Sequence, residues 1–411
     1  MAPSLQTHFR RRQGVAIGVA FVVALALAWT RPWTSEVPAA VGSGTQAASP
    51  GGSAVPRAAA SADPVPAWLA WMPGGFPEGF RGDAADAGFD TSVVVAGDTL
   101  WLSASRDRDG AVVDRPTPPF RIPIDAFAVE PSAYASFLPD AYRDQVIGAL
   151  NRGRAVLGST SGKLRRLGPG ATLVFGGVTV RVGAVVPDEV IGWSEMLVSR
   201  EVGAELGIEH DRYLLALDAD LAVPRFESRV RRLLPPDTYL RVVAPGKTTY
   251  VRVASGVNPP VVMKEVFGEF AAAPRADDPA FFTMDPAWYD AHIVTQRVPI
   301  LGQVTCNEAF MPALRDALRE VVRRGLDRLI SIYSGCYAPR TVARRTTAPP
   351  SQHAWGAAID IDAPTNGYGD TTPAIDPRVV RVFDRHGFIW GGRFLIPDGM
   401  HFEYGEPDPS T

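Results

Sequence analysis

Ser351-Gln352-His353-Ala354-Trp355-Gly356-Ala357-Ala358-Ile359-Asp360-Ile361-Asp362 sets one of only six histidines ahead of an alternating apolar and acidic stretch. Successive side chains of a strand face opposite ways, so Ile359 and Ile361 share one side and Asp360 and Asp362 the other. A carboxylate facing away from a core is ordinarily just solvated. Here the small Gly356-Ala357-Ala358 run lets His353 and Asp360 converge. Further along, Trp390-Gly391-Gly392 and Asp398-Gly399-Met400-His401-Phe402-Glu403-Tyr404 supply a second histidine and further carboxylates.

Two imidazoles and one carboxylate are three ligands, which leaves open the fourth tetrahedral position that catalytic zinc requires. The candidate ligands are His353, Asp360 and His401, holding one zinc per chain. Asp398, on the entry to the last strand, is placed to accept and deliver protons. The competing readings are a set of ordinary polar residues, or a zinc site kept without catalysis, because fold alone does not fix function.

The flanking grammar is α+β. A helix is expected over 311–329, with Pro312 in its first turn and Leu314, Leu318, Val321, Val322 and Leu326 along one face. A second helix takes Asp376 as N-cap and Pro377 at its first position, buries Val379, Val380, Val382 and Phe383, and ends before Gly387. His386 reads as a cation at that helix's C-terminus. Short strands at 358–361, 388–390 and 401–404 supply a small antiparallel sheet.

The pattern S-x-H-x-x-G-x-A-x-D is filled by Ser351, His353, Gly356, Ala358 and Asp360, and is followed by W-G-G and D-x-x-H-F-E. This resembles the VanY-type D-Ala-D-Ala carboxypeptidase family and its L-Ala-D-Glu endopeptidase relatives, over residues 298–404. The resemblance implies a hedgehog-like zinc peptidase domain with His353, Asp360 and His401 on the metal and Asp398 as the catalytic carboxylate. It implies an arginine that holds substrate beside the metal, usually in a G-Y-R context. Arg340, in Gly335-Cys336-Tyr337-Ala338-Pro339-Arg340, is the nearest match, at a longer spacing. By the same comparison Ser351 touches substrate backbone and Glu403 supports His401 rather than acting as the base. The implied substrate is the peptidoglycan stem peptide, cut at a terminal D-Ala or internally. The rival expectation is a catalytically silent wall-binding or scaffold protein that keeps the zinc fold.

Other chemistries fail on inspection. Serine-type peptidases of this substrate class need S-x-x-K, yet the only lysines, Lys163, Lys247 and Lys264, follow Thr160, Ala244 and Val261 at that spacing. Neither H-E-x-x-H nor G-x-S-x-G occurs. A net charge of -3 gives no electrostatic case for nucleic acid. Cys306 and Cys336 form no C-x-x-C pair; in an oxidising compartment a disulfide is their simplest use, with two buried thiols as the alternative.

The rest of the chain divides by composition. Residues 1–34 carry Arg10-Arg11-Arg12 and then an apolar run from Gly14 to Trp29, with Trp29 and Trp33 as interfacial aromatics. This reads as a single-pass signal anchor that leaves the bulk of the chain outside the cytoplasmic membrane, a cleaved signal being the alternative. Residues 35–64 are an Ala/Gly/Ser/Pro tether. Residues 65–265 read as a β-rich module of unknown partner, and 266–411 as the peptidase domain. Within the module, hairpins are expected at 93–95/99–102, 173–175/178–182 and 240–243/249–253, with a helical stretch near 199–206. Residues 168–187 resemble extracytoplasmic β-domains of bacterial transport permeases. No titratable cluster is apparent there, and His210 reads as a solvated loop residue.

Overall fold

In a computed structural model the described residues are 65–89, 91–217, 222–246, 258–346 and 348–405. The anchor and the tether therefore lie outside the described residues. Among the described residues no helix is long and apolar enough to cross a membrane.

Residues 68–243 form ten strands: β1 (Trp68–Trp71), β2 (Ser92–Arg106), β3 (Val112–Asp114), β4 (Ile122–Val129), β5 (Ala155–Gly158), β6 (Thr172–Phe175), β7 (Val178–Val186), β8 (Met196–Ser199), β9 (Asp211–Ala216) and β10 (Arg241–Val243). Strands β2, β4, β8, β5, β7 and β6 pair in that order, and β6 pairs back onto β2 to close a barrel. Leu102, Ile124, Met196, Leu157, Val182 and Leu173, one from each barrel strand, share a single apolar cluster. Closure removes the free edges a β-rich module would otherwise expose. The β9, β1 and β10 strands extend from the first half of β2.

The module departs from its sequence reading at three places. Residues 93–102 are not a hairpin but the middle of the 15-residue strand β2. Gly97 sits there because a Cβ would lie 2.9 Å from the Phe127 ring, not because the chain turns. The turn residues Gly176 and Gly177 do reverse the chain, each at positive φ, so that Phe175 pairs with Val178. The hairpin partner at 249–253 lies outside the described residues. The helix near 199–206 forms as Arg200–Leu206, capped by the Ser199 side chain.

A titratable cluster also exists. Lys264 Nζ contacts Glu195 Oε1 at 2.8 Å, Glu269 Oε1 at 3.0 Å and the Pro123 carbonyl at 2.5 Å, and Arg165 pairs with both carboxylates. Two cations and two anions compensate one another, as buried charges must. Burial would lower the Arg165 pKa, but Glu269 and Glu195 outweigh it and raise it. Lys264 sits on the helix Pro260–Phe267, whose Met263 and Phe267 belong to the C-terminal core, so this cluster joins that core to the barrel. Its members are scattered over about a hundred residues, which hides it from any local reading. His210 is not merely solvated either: its Nδ1 meets Asp98 Oδ1 at 2.8 Å.

The C-terminal part contains two hairpins, β11 (Ala272–Pro274) with β12 (Phe282–Met284) and β13 (Ile293–Val298) with β14 (Gly302–Asn307). A four-stranded sheet follows in the order β15-β16-β18-β17, comprising β15 (Tyr333–Gly335), β16 (Ala358–Ile361), β17 (Phe388–Trp390) and β18 (His401–Tyr404). Ile359, Ile361 and Phe402 face one core with Val379, Val380, Val382 and Phe383 of the helix Pro377–Arg385. That helix is capped by Asp376 as its sequence requires. The earlier helix is shorter than expected, Met311–Arg323, ending before Gly325 at φ 64; Val322, at 47% exposure, lies off its buried face. His386 joins Glu320 at 2.7 Å beyond the second helix. Cys306 on β14 is bonded to Cys336 beyond β15.

Candidate active site and metal centre

Asp360 on β16 and His401 on β18 are direct cross-strand partners, so their side chains rise from the same face of the sheet. Ala358 stands opposite Glu403 on that face, and its small side chain leaves Glu403 room beside His401. His353 arrives from the short 3-10 turn Gln352–Trp355, which Ser351 caps by accepting from the His353 N–H. Gly356 ends that turn at φ 66, and a Cβ there would lie 2.6 Å from the backbone nitrogen of Asn307. The glycine of the motif is thus needed for conformation and for close approach to β14.

Three atoms converge. His353 Nε2 lies 3.1 Å from His401 Nδ1 and 3.2 Å from Asp360 Oδ1, and His401 Nδ1 lies 3.0 Å from Asp360 Oδ1. The other nitrogen of each ring is engaged. His353 Nδ1 donates to the Cys336 carbonyl at 2.6 Å, and His401 Nε2 donates to Glu403 Oε2 at 3.0 Å. Those partners occupy one nitrogen of each ring and leave His353 Nε2 and His401 Nδ1 turned toward Asp360, available as ligands once deprotonated. His353, Asp360 and His401 are buried and together could hold a metal ion.

Burial opposes charge on Asp360, but His353 and then His401 hold its carboxyl far below the usual range. Burial would lower the His401 pKa, yet hydrogen bonds to Asp360 and Glu403 raise it to about 10. Burial lifts Glu403 above the ordinary carboxylate value, against the pull of His401.

Asp398 stands on the turn into β18, where its carbonyl accepts from the His401 N–H at 3.1 Å. Its Oδ1 is buried without a hydrogen-bond partner, and burial raises its pKa against the pull of His401. Gly391 explains part of the W-G-G element, since a Cβ there would lie 2.6 Å from the Asp398 carbonyl and 3.1 Å from His401 Cβ. Arg340 and Ser351 are brought side by side, the Ser351 N–H donating to the Arg340 carbonyl at 2.9 Å. Burial lowers the Arg340 pKa, Asp360 opposing; its guanidinium donates only to the Thr341 carbonyl, at 3.3 Å, and has no ion pair among the described residues. Asp362 is set apart from the site. It lies just past β16 at φ 51, and its Oδ1 accepts from Ser331 and Ile332 at 2.9 and 2.7 Å.

A cleft of about 400 Å³ opens over Asp398, His401 and Glu403. Arg340, Arg344 and Arg345 line it from one loop and Tyr368 from another. Asp98 and Thr99 line it from barrel strand β2, and Trp71 and Arg212 from the attached strands β1 and β9, a wall the sequence did not foretell because those strands lie far away along the chain. Other residues that sequence reasoning missed are Asn366 and the Cys336 carbonyl. Asn366 is buried, donates to the Asp362 carbonyl and accepts from Ile375, holding the loop that follows β16. Neither carries a motif signal.

Residues 344–404 match the D-alanyl-D-alanine carboxypeptidase family. The match includes Ser351, His353, Asp360, Asp398 and His401 and begins just after Arg340. It supports a D-Ala-D-Ala carboxypeptidase-like peptidase at the level of family. No curated protein matches the chain. Among solved structures, the periplasmic region of MacB from Actinobacillus actinomycetemcomitans is similar at 13% identity, over 43% of this chain and 88% of that one, with a TM-score of 0.28.

Proposed function

We propose that the chain is a zinc-dependent peptidase that hydrolyses an amide bond of the peptidoglycan stem peptide outside the cytoplasmic membrane. The observation that carries this reading is the convergence of three potential ligand atoms, on His353, His401 and Asp360, near Asp398, whose Oδ1 is buried without a hydrogen-bond partner. Two imidazole nitrogens and a carboxylate oxygen suit zinc. Tetrahedral zinc bonds of about 2.0–2.1 Å need donors roughly 3.3 Å apart, and the three separations here are 3.0–3.2 Å.

When bound, zinc polarises the scissile carbonyl and acidifies a water molecule. The protein's own groups do the rest. Asp398 accepts a proton from the attacking water and delivers it to the departing amine nitrogen, a task suited to a carboxylate whose pKa is raised by burial. Arg340, without an ion-pair partner among the described residues, holds a substrate carboxylate or carbonyl oxygen. Glu403 and the Cys336 carbonyl keep the two imidazoles in register. Phe394, Leu395 and Ile396 line the cleft with apolar surface that limits stray water.

The Cys306–Cys336 bond supports an oxidising compartment, and Arg10 to Arg12 with the following apolar run support a membrane anchor. The test is mass spectrometry of stem peptides after incubation with the zinc-loaded full chain. Released D-Ala would indicate a carboxypeptidase, and new amino termini an endopeptidase. Intact peptides would replace this reading with a zinc-containing wall-binding or scaffold protein.

A further inference from the structure

Gln352 stands between the cap residue Ser351 and the candidate ligand His353, and it lines the cleft. It is 7% exposed, yet neither its Oε1 nor its Nε2 has a hydrogen-bond partner. Buried polar side chains almost always find one, so each exception calls for a reason. Asp398 and Glu403 are the other cleft residues with an unpartnered buried oxygen, and both titrate. A carboxamide does not titrate and cannot carry protons. What it offers is one acceptor and one donor side by side.

The geometry points to Gln352 as a substrate-positioning residue, its carboxamide accepting from the N–H and donating to the C=O of one peptide group of the bound substrate. A peptide group presents the matching pair, whereas a carboxylate or an ammonium presents only one kind of partner. The residue is also held still. Ala357 donates to the Gln352 carbonyl at 3.1 Å, Ala354 to that of Ser351 at 2.8 Å, and the buried Trp355 donates from its indole to the Gly268 carbonyl at 3.2 Å. The same turn fixes His353, so a peptide group held by Gln352 is set at a constant offset from the metal centre. This role rests on the peptidase reading and narrows its substrate to an extended peptide rather than a lone amino-acid amide.

The test compares the wild-type full chain with Gln352→Met, which keeps length and removes both polar atoms. Losing an unmatched carboxamide should leave the melting temperature equal or higher and the zinc content unchanged. Losing two substrate hydrogen bonds should lower kcat/KM on stem peptides about 10- to 100-fold, mainly through KM. Wild-type KM in the variant would overturn the proposal. So would a lowered melting temperature, which would mean that the carboxamide serves the fold. If the wild type cleaves no stem peptide, the peptidase reading fails separately, and stabilisation of each protein by unhydrolysed stem peptide decides the role of Gln352. A thermal shift seen in the wild type and lost in Gln352→Met supports it; equal shifts overturn it.

Discussion

The His353 imidazole donates from Nδ1 to the carbonyl of Cys336 across 2.6 Å, and Cys336 is covalently joined to Cys306. The disulfide therefore anchors the acceptor that decides which nitrogen of His353 keeps its lone pair. It links the β13–β14 hairpin, through one backbone oxygen, to the candidate metal ligands. Glu403 plays the equivalent part for His401.

Replacing both cysteines by serine should lower stability and metal affinity together. Opening a loop with a sequence separation of 30 costs about 3–4 kcal/mol in the chain-entropy model. Denaturant unfolding and zinc competition read the two effects. An unchanged unfolding midpoint would contradict the structural weight given to this bond.

Glu403→Gln keeps an acceptor near His401 Nε2 but removes the charge that supports the imidazole. Zinc affinity should fall about 10- to 100-fold, as is usual when such a supporting carboxylate is lost. The fold should persist, because Glu403 faces the site and Phe402 the core. Chelator competition measures this directly, and wild-type affinity would remove Glu403 from the account.

Metal uptake should depend on pH. In protein stripped of metal, Asp360 and Glu403 outweigh burial and raise the His401 pKa from 6.5 to about 10. Zinc must displace that proton, so apparent affinity should rise up to about tenfold per pH unit across this range. The stability linkage has the opposite sense. A raised histidine pKa contributes stability that is complete below pH 6.5 and is lost as the pH climbs to about 10. Urea unfolding of chelated protein should show that decline, and a flat profile would contradict it.

Gly391→Ala places a methyl group against the Asp398 carbonyl and His401 Cβ. Overpacking of this kind costs about 1–3 kcal/mol, and here the displaced groups belong to the site. Peptide hydrolysis should fall more steeply than thermal stability. Activity falling only in step with stability would mean that Gly391 serves packing alone.

Local signals made much of the C-terminal part legible. Asp376, Pro377 and Gly387 delimit a helix whose four inward residues are all buried, and the alternation of Ile359, Asp360 and Ile361 puts Asp360 beside His401. Asp362 escaped the alternation because the strand ends one residue before it. The barrel was less legible, since Gly97-Asp98 imitates a turn while Gly97 in fact makes room for Phe127. The Lys264 cluster and the barrel wall of the cleft depend on pairings between distant segments, which no window of sequence contains.

His353, Asp360 and His401 are proposed to hold the metal while Asp398 moves the proton. Asp398→Asn keeps shape and hydrogen bonding but cannot accept a proton. Kinetics on a stem peptide, with zinc content and melting temperature measured on the same samples, separate these two roles. In Asp398→Asn kcat should fall about 10²–10⁴-fold, with zinc near one per chain and little change in melting temperature. Wild-type turnover in Asp398→Asn would contradict this assignment and move the proton-transfer role elsewhere, with Glu403 next in line.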